Sequence, residues 1–398
     1  MRRSSSRLIR LCLSTAAAVA LSVGSLGAAP LATAVDGPVQ LPALGGPLAD
    51  GAPCAKASGR RAESTPWPLT TLQLPQVWRL TEGAGVTVAV VDTGVGQDVP
   101  ALRGRVRAVG DAGKDCVGHG SFAAGVIAAA PVDGSAFAGV APKARILAVR
   151  GTDERGTATP DRVASGIRTA TDEGARVVYV ANALLAGRTE LTAAVKYAAD
   201  HDVVVVAPAA PDTAPQASDG SKSDTSARPY FPAFVAQALS VSDYGPDGTR
   251  PSSAPDPFAA DLAAPGDGVV GTAPSGAGHY IGSGSSLAAA HVAGAVALVR
   301  ARYPELNAAE VIHRLQSTAY PSVPPRLDPY AAVSLLLPHD RSTTTEQPAA
   351  HVDPAPSDVP ARRAMVIAVA GAVFVLVLAA AAVVVPRGKA RNWRPADA

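Results

Sequence analysis

Aromatic residues are scarce in this 398-residue chain, at 4%, and charged residues make up only 17%. The formal net charge is +2, and no run or stripe of Lys and Arg crosses the middle of the chain, which excludes the usual electrostatic footprint of a nucleic-acid binder. No His/Cys cluster and no carboxylate loop suited to calcium is present, so neither a metal nor another cofactor is implied. Cysteines number three, yet a chain of this length can bury a large core without needing disulfides or a metal. What is abundant is Ala, Val, Gly and Pro, a bias that speaks of genome composition more than of function.

Two apolar stretches lie near the ends. The first follows Arg2, Arg3, Arg7 and Arg10 and closes on Ala32-Thr33-Ala34, the layout of a cleaved signal peptide over residues 1–34. An uncleaved anchor fits less well because the apolar run is short, and the Arg2-Arg3 pair alone does not establish a twin-arginine signal. Cys12 would leave with this segment. Cys54 and Cys116 remain as an even pair in an oxidising compartment, either bonded or two free buried thiols. The second stretch, Ala364–Val385, holds 22 residues without a charge, enough for a helix spanning about 30 Å of membrane. Arg387, Lys389, Arg391 and Arg394 follow it against Arg362 and Arg363 before it, an excess that places the tail 386–398 in the cytoplasm and the rest outside.

Between them, residues 35–80 read as an extended Pro/Gly/Ala-rich extension, 81–337 as a folded domain, and 338–363 as a Pro/Thr-rich stalk. The domain has an α/β rhythm. Val86–Val91 is a short β-branched run ending at Asp92, and strand-like runs recur at Arg145–Arg150, Arg176–Val180 and Val203–Ala207. Helix-like stretches Asp161–Glu173 and Thr189–Asp200 fall between them, so a mainly parallel sheet with helices on both faces is expected. Ligands bind such sheets at the carboxyl ends of strands, where Asp92 stands. Residues 208–229 form a loop longer than the usual connection.

Three local patterns carry chemistry: Val90-Val91-Asp92-Thr93-Gly94, then Gly118-His119-Gly120-Ser121, then Gly284-Ser285-Ser286 leading into an Ala-rich helix. A serine hydroxyl becomes a nucleophile when a histidine takes its proton, and that histidine needs a carboxylate to fix its tautomer and steady its charge. Each pattern alone also has a bland reading, as a strand-to-turn ending, a glycine-flanked helix start and an N-cap. Their joint occurrence at edges of α/β elements favours a catalytic reading.

In the order Asp, His, Ser, these patterns resemble the signatures of the subtilisin-like serine proteases. The resemblance covers roughly residues 65–337 and takes in Gly139–Val149 and Asp261–Gly266. More narrowly it extends to the mycosins, the membrane-anchored subtilisin-like proteases of type VII secretion, through Pro66-Trp67, Trp78, Cys116 just ahead of the histidine, the N-terminal extension and the C-terminal helix. The resemblance implies a subtilisin-like fold with Asp92 orienting the histidine, His119 as general base and acid, and Ser286 as nucleophile on a polypeptide substrate. It also implies a type VII secretion membrane complex as partner. A catalytically degenerate structural partner of such a complex, and a non-protease acyl hydrolase, are the alternatives.

Departures from the family pattern bear on that choice. Ser285 replaces the usual Thr, which leaves it as a rival nucleophile, and Ala290 replaces a Pro. Tyr179 and Ala181 stand where family members carry Asn and Ser. After the Val203–Val206 run, the family's oxyanion-donating Asn aligns with Pro211, or with Asp212 under a one-residue shift. Losing one such donor costs about 100- to 1,000-fold in turnover, a range established on a subtilisin. Asn182 lies nearby but one register off, so strand alternation points it to the other face.

Overall fold

The computed structural model describes residues 40–213, 226–337 and 358–391. The expected signal peptide and most of the expected stalk lie outside these. The chain divides into two units between Leu335 and Leu336.

In the first unit, seven strands form one sheet: β1 (Thr87–Asp92), β2 (Val106–Ala108), β3 (Arg145–Arg150), β4 (Val177–Val180), β5 (Val204–Pro208), β6 (Ala238–Tyr244) and β7 (Leu262–Pro265). Their order is β2-β3-β1-β4-β5-β6-β7 and every neighbouring pair is parallel. The order reverses around β1, so Asp92 closes the strand at the topological switch point, where open α/β sheets place their ligands.

Alternation along β1 divides the core into two layers. Val88 and Val90 join one cluster, while Ala89 and Val91 join the other. The second cluster is roofed by α4 (Pro160–Asp172) and α5 (Arg188–Asp200), whose buried Val163, Ile167, Leu191 and Val195 repeat at helical spacing. Pro160 opens α4 and the Thr159 side chain caps it by accepting the Arg162 N–H.

The first cluster holds α3 (His119–Ala128) and α6 (Ser285–Arg302). Both are small and apolar around their whole circumference, the composition of helices sunk into a core. α6 packs against β4, β5, β6 and β7. A separate antiparallel pair, β8 (Val269–Thr272) and β9 (His279–Gly282), lies against α3.

The described part of the extension is tied down at several points. Leu44 N–H donates to Ile281 O at 2.7 Å, Ile281 N–H to Pro42 O at 2.9 Å, and Ala136 N–H to Ala62 O at 2.8 Å. Two short helices, α1 (Trp67–Thr71) and α2 (Leu74–Val77), complete it, with Trp78 Nε1 donating to Val140 O at 2.9 Å. The structure pairs Cys54 with Cys116, so this segment is also joined covalently to the turn before α3.

In the second unit, one helix, Asp358–Ala390, begins inside the expected stalk and contains the whole expected span. Its Arg362–Ala390 portion, whose most apolar 18-residue window has a mean hydropathy of 2.9 and is unburied, is long and apolar enough to cross a membrane.

Candidate active site

The three sequence patterns converge at the carboxyl edge of the sheet. The β-branched run of β1 ends in Asp92, whose side chain is 2% exposed. Its Oδ1 accepts the Thr93 N–H at 2.7 Å and its Oδ2 lies 2.6 Å from His119 Nδ1. His119 begins α3 and presents Nε2 at 3.0 Å from Ser286 Oγ. Ser286 sits in the first turn of α6, where backbone N–H groups have no partner within the helix. The imidazole is 15% exposed, so it remains reachable from the cleft while Asp92 is not.

Close backbone approach explains the glycine after the histidine. A Cβ on Gly120 would lie 2.0 Å from Gly94 O, so any side chain there would push α3 off the end of β1.

A residue that sequence reasoning missed holds this junction together. Asp115 Oδ1 accepts the Thr93 hydroxyl and the Gly118 N–H, each at 2.8 Å. Its Oδ2 accepts the Ser121 N–H at 2.8 Å and the Ser121 hydroxyl at 2.7 Å. One carboxylate therefore joins the turn after β1 to the first turn of α3, fixing the elements that carry Asp92 and His119. Burial pushes the Asp115 carboxyl above its ordinary value, with the bonds from Ser121 and Gly118 pulling it back in part. The signal in the sequence was an Asp three residues before a glycine at a helix start, which is capping chemistry.

The rival nucleophile is committed elsewhere. Ser285 Oγ donates to Asp243 Oδ1 at 2.5 Å, and Arg250 Nε donates to the same oxygen at 2.9 Å. Ser286, not Ser285, faces the histidine.

Of the two residues that the sequence offered for the oxyanion position, Asp212 and not Pro211 bonds to Ser286. Asp212 Oδ1 accepts the Ser286 N–H at 2.8 Å, and its Oδ2 accepts the Ser286 hydroxyl at 2.6 Å. The same Oδ2 lies 3.5 Å from His119 Nε2. Asn182 lines the cleft beside them, its Oδ1 buried without a hydrogen-bond partner among the described residues. Tyr179 is fully buried, and among the described residues its hydroxyl finds no well-formed hydrogen bond. Burial raises the phenol well above its ordinary value, Asp92 and Asp212 adding to the effect and Ser286 opposing it.

Burial alone would lower the His119 pKa, yet the attractions of Asp92 and Asp212 carry it well above the usual value. The cleft around these residues has a volume of about 250 Å³, and Leu44, Gly45, Gly46 and Pro47 of the extension form part of its wall. Among the described residues no cluster of His, Cys, Asp or Glu is arranged to hold a metal ion.

With this geometry in hand, the subtilase family profile (peptidase S8) matches residues 83–352. The chain belongs to the subtilase family. This subtilase is 37% identical to thermitase from Thermoactinomyces vulgaris over 57% of the chain and 79% of thermitase. It is 33% identical to mycosin-4 of Mycobacterium tuberculosis, over 73% of the chain and 72% of the relative. Among solved structures, the MycP3 protease from the type VII (ESX-3) secretion system superimposes with a TM-score of 0.61 at 28% identity, covering 75% of this chain and 99% of that one. A chain in the intact ESX-5 inner membrane complex gives 0.61 at 27% identity, over 86% and 98%. The expected subtilisin-like fold, serine-type endopeptidase class and mycosin affinity therefore hold for this subtilase.

Proposed function

We propose that this subtilase is a membrane-anchored, extracytoplasmic serine endopeptidase in which Ser286 is the nucleophile, His119 the general base and acid, and Asp92 the group that orients the histidine. The hydrogen-bonded series Asp92–His119–Ser286, at 2.6 and 3.0 Å, carries this reading. Asp92 holds the proton on Nδ1, which leaves Nε2 to take the Ser286 proton as Oγ attacks the peptide carbonyl. His119 then protonates the departing amine, and water hydrolyses the acyl-enzyme by the reverse roles.

The apolar helix supports single-pass anchoring, and Arg387 and Lys389 in its last turn support a cytoplasmic tail. The likeness to a protease from a type VII secretion system, and to a chain within an inner membrane complex, supports a role beside such a complex. The extension along the cleft supports narrow specificity, since it removes part of the approach open to a bulky polypeptide.

One observation favours a second reading, a structural partner without turnover: a carboxylate, Asp212, already accepts the Ser286 N–H. The full-length chain, solubilised in detergent, should be labelled by a fluorophosphonate, and Ser286→Ala should abolish labelling. Absence of labelling in folded wild-type protein at any pH would turn the balance to the structural partner.

A further inference from the structure

Subtilases stabilise the tetrahedral oxyanion with N–H donors, and the Ser286 N–H is one that this site can supply. Here that N–H points at Asp212 Oδ1 at 2.8 Å. The developing oxyanion and a carboxylate cannot both accept it in full, and two anions at that distance repel one another. The fit is close. A Cβ on Gly284 would come within 2.2 Å of the Asp212 carboxyl carbon, so the carboxylate is seated directly on the backbone that leads into α6.

The hydroxyl shows a second consequence. Ser286 Oγ has one proton and two neighbours able to take it, His119 Nε2 at 3.0 Å and Asp212 Oδ2 at 2.6 Å. If the imidazole is neutral, one of these acceptors goes without. If it carries a proton on Nε2, every contact is used: Nε2–H donates to Oγ, and Oγ–H donates to Asp212. The arrangement is therefore the one that suits a charged His119 between two carboxylates.

We propose that Asp212 is a latch on this active site, its carboxylate occupying the oxyanion position and drawing the Ser286 hydroxyl away from its base until a bound peptide displaces it. The proposal rests on the assignment of Ser286 and His119 made above. The titratable groups around Asp212 are His119 from α3 and Tyr179 from β4, with Asp92 from β1 on the far side of the imidazole. The raised pKa of His119 agrees with the latch, since a protonated imidazole cannot act as general base. Reaction of Ser286 with a small probe that has no peptide to displace the carboxylate should be slow at neutral pH. It should accelerate as pH rises and His119 loses its proton.

The test is the fluorophosphonate labelling rate of the full-length chain from pH 5 to 10 (roughly the range over which a coupled histidine titrates), for wild type, Asp212→Asn, Asp212→Ala and Ser286→Ala. Asp212→Asn keeps the shape, removes the charge and offers an N–H donor. It should raise the neutral-pH rate about tenfold or more. Both Asp212 variants should move the midpoint of the pH profile down by about one unit or more, because one of the two carboxylates holding the proton on His119 is gone. Asp212→Ala separates loss of charge from gain of a donor, so its midpoint should shift with a smaller rise in rate. If wild type and both Asp212 variants label at equal rates with equal midpoints while Ser286→Ala does not label, the latch is wrong and the catalytic assignment stands. If none labels although all are folded, the catalytic assignment falls and the latch falls with it.

Discussion

Asp115 shows how much a single carboxylate outside the triad contributes. Four donors from Thr93, Gly118 and Ser121 end on its two oxygens. Replacing it with Ala leaves those donors half-buried without partners, at roughly 1–3 kcal/mol for each that water cannot reach. Asp115→Ala should lower unfolding stability by about 3 kcal/mol, measured by urea denaturation. The labelling rate of Ser286 should fall further than stability alone explains, since the end of β1 and the start of α3 lose one of the ties between them. Residues such as this escape a reading of sequence because the carboxylate lies in a turn with no periodicity. That Asp92, His119 and Ser286 would meet was legible because three short patterns, each bland alone, occur together at edges of α/β elements. Which of Pro211 and Asp212 would touch Ser286 was not legible: the chain after β5 has no alternation to fix its register.

At the scale of elements, β1, β3, β4 and β5 could be read because central parallel strands are continuous apolar runs. β6 could not. It is buried throughout, yet Ser240, Ser242 and Asp243 give it a polar sequence, and the structure satisfies Ser240 and Asp243 internally. The Ser240 N–H donates to Asp261 Oδ2 at 2.9 Å, and Asp243 pairs with Arg250. The hairpin of β8 and β9 carries a different hidden group. His279 Nδ1 accepts the Ala62 N–H at 3.2 Å, fastening the extension to β9, and burial with Arg61 nearby pushes its pKa down to about 4. His291, inside α6, is likewise pushed down to about 4 by burial. Below a pH of about 6.5 the unfolded chain takes protons on both that the folded chain refuses, so stability is lost as pH falls from there towards about 4. His119 has the opposite sign, and its contribution is lost as pH rises through its elevated value. His279→Gln, which keeps an acceptor for Ala62 but cannot be charged, should flatten the acid limb of stability against pH in urea titrations.

The whole molecule is organised around a segment that the sequence marked only as an extension. Its backbone pairs with β9, its residues line the cleft, and Cys54 is bonded to Cys116 across a separation of 62 residues. In the loop-entropy account, closing a loop of that length stabilises the fold by about 4 kcal/mol. Cys54→Ser with Cys116→Ser should therefore lower the unfolding free energy by up to about 4 kcal/mol, read from urea curves of the double variant against wild type. A decrease confined to the extension would instead appear as a separate early transition, detectable by hydrogen exchange at Leu44 and Ile281.

That covalent bond has a further effect on how maturation would look from outside. The chain between Cys54 and β1 runs partly along the surface, with Arg60, Arg61 and Glu63 exposed. A single cut there would create a new amino terminus without freeing the part upstream, because the disulfide ties it to the body just before His119. Nicked and uncut protein would migrate as one species until a reductant separated them. The segment along the cleft would then behave as a second, covalently retained chain, and cleavage of the backbone would not be the event that opens the site.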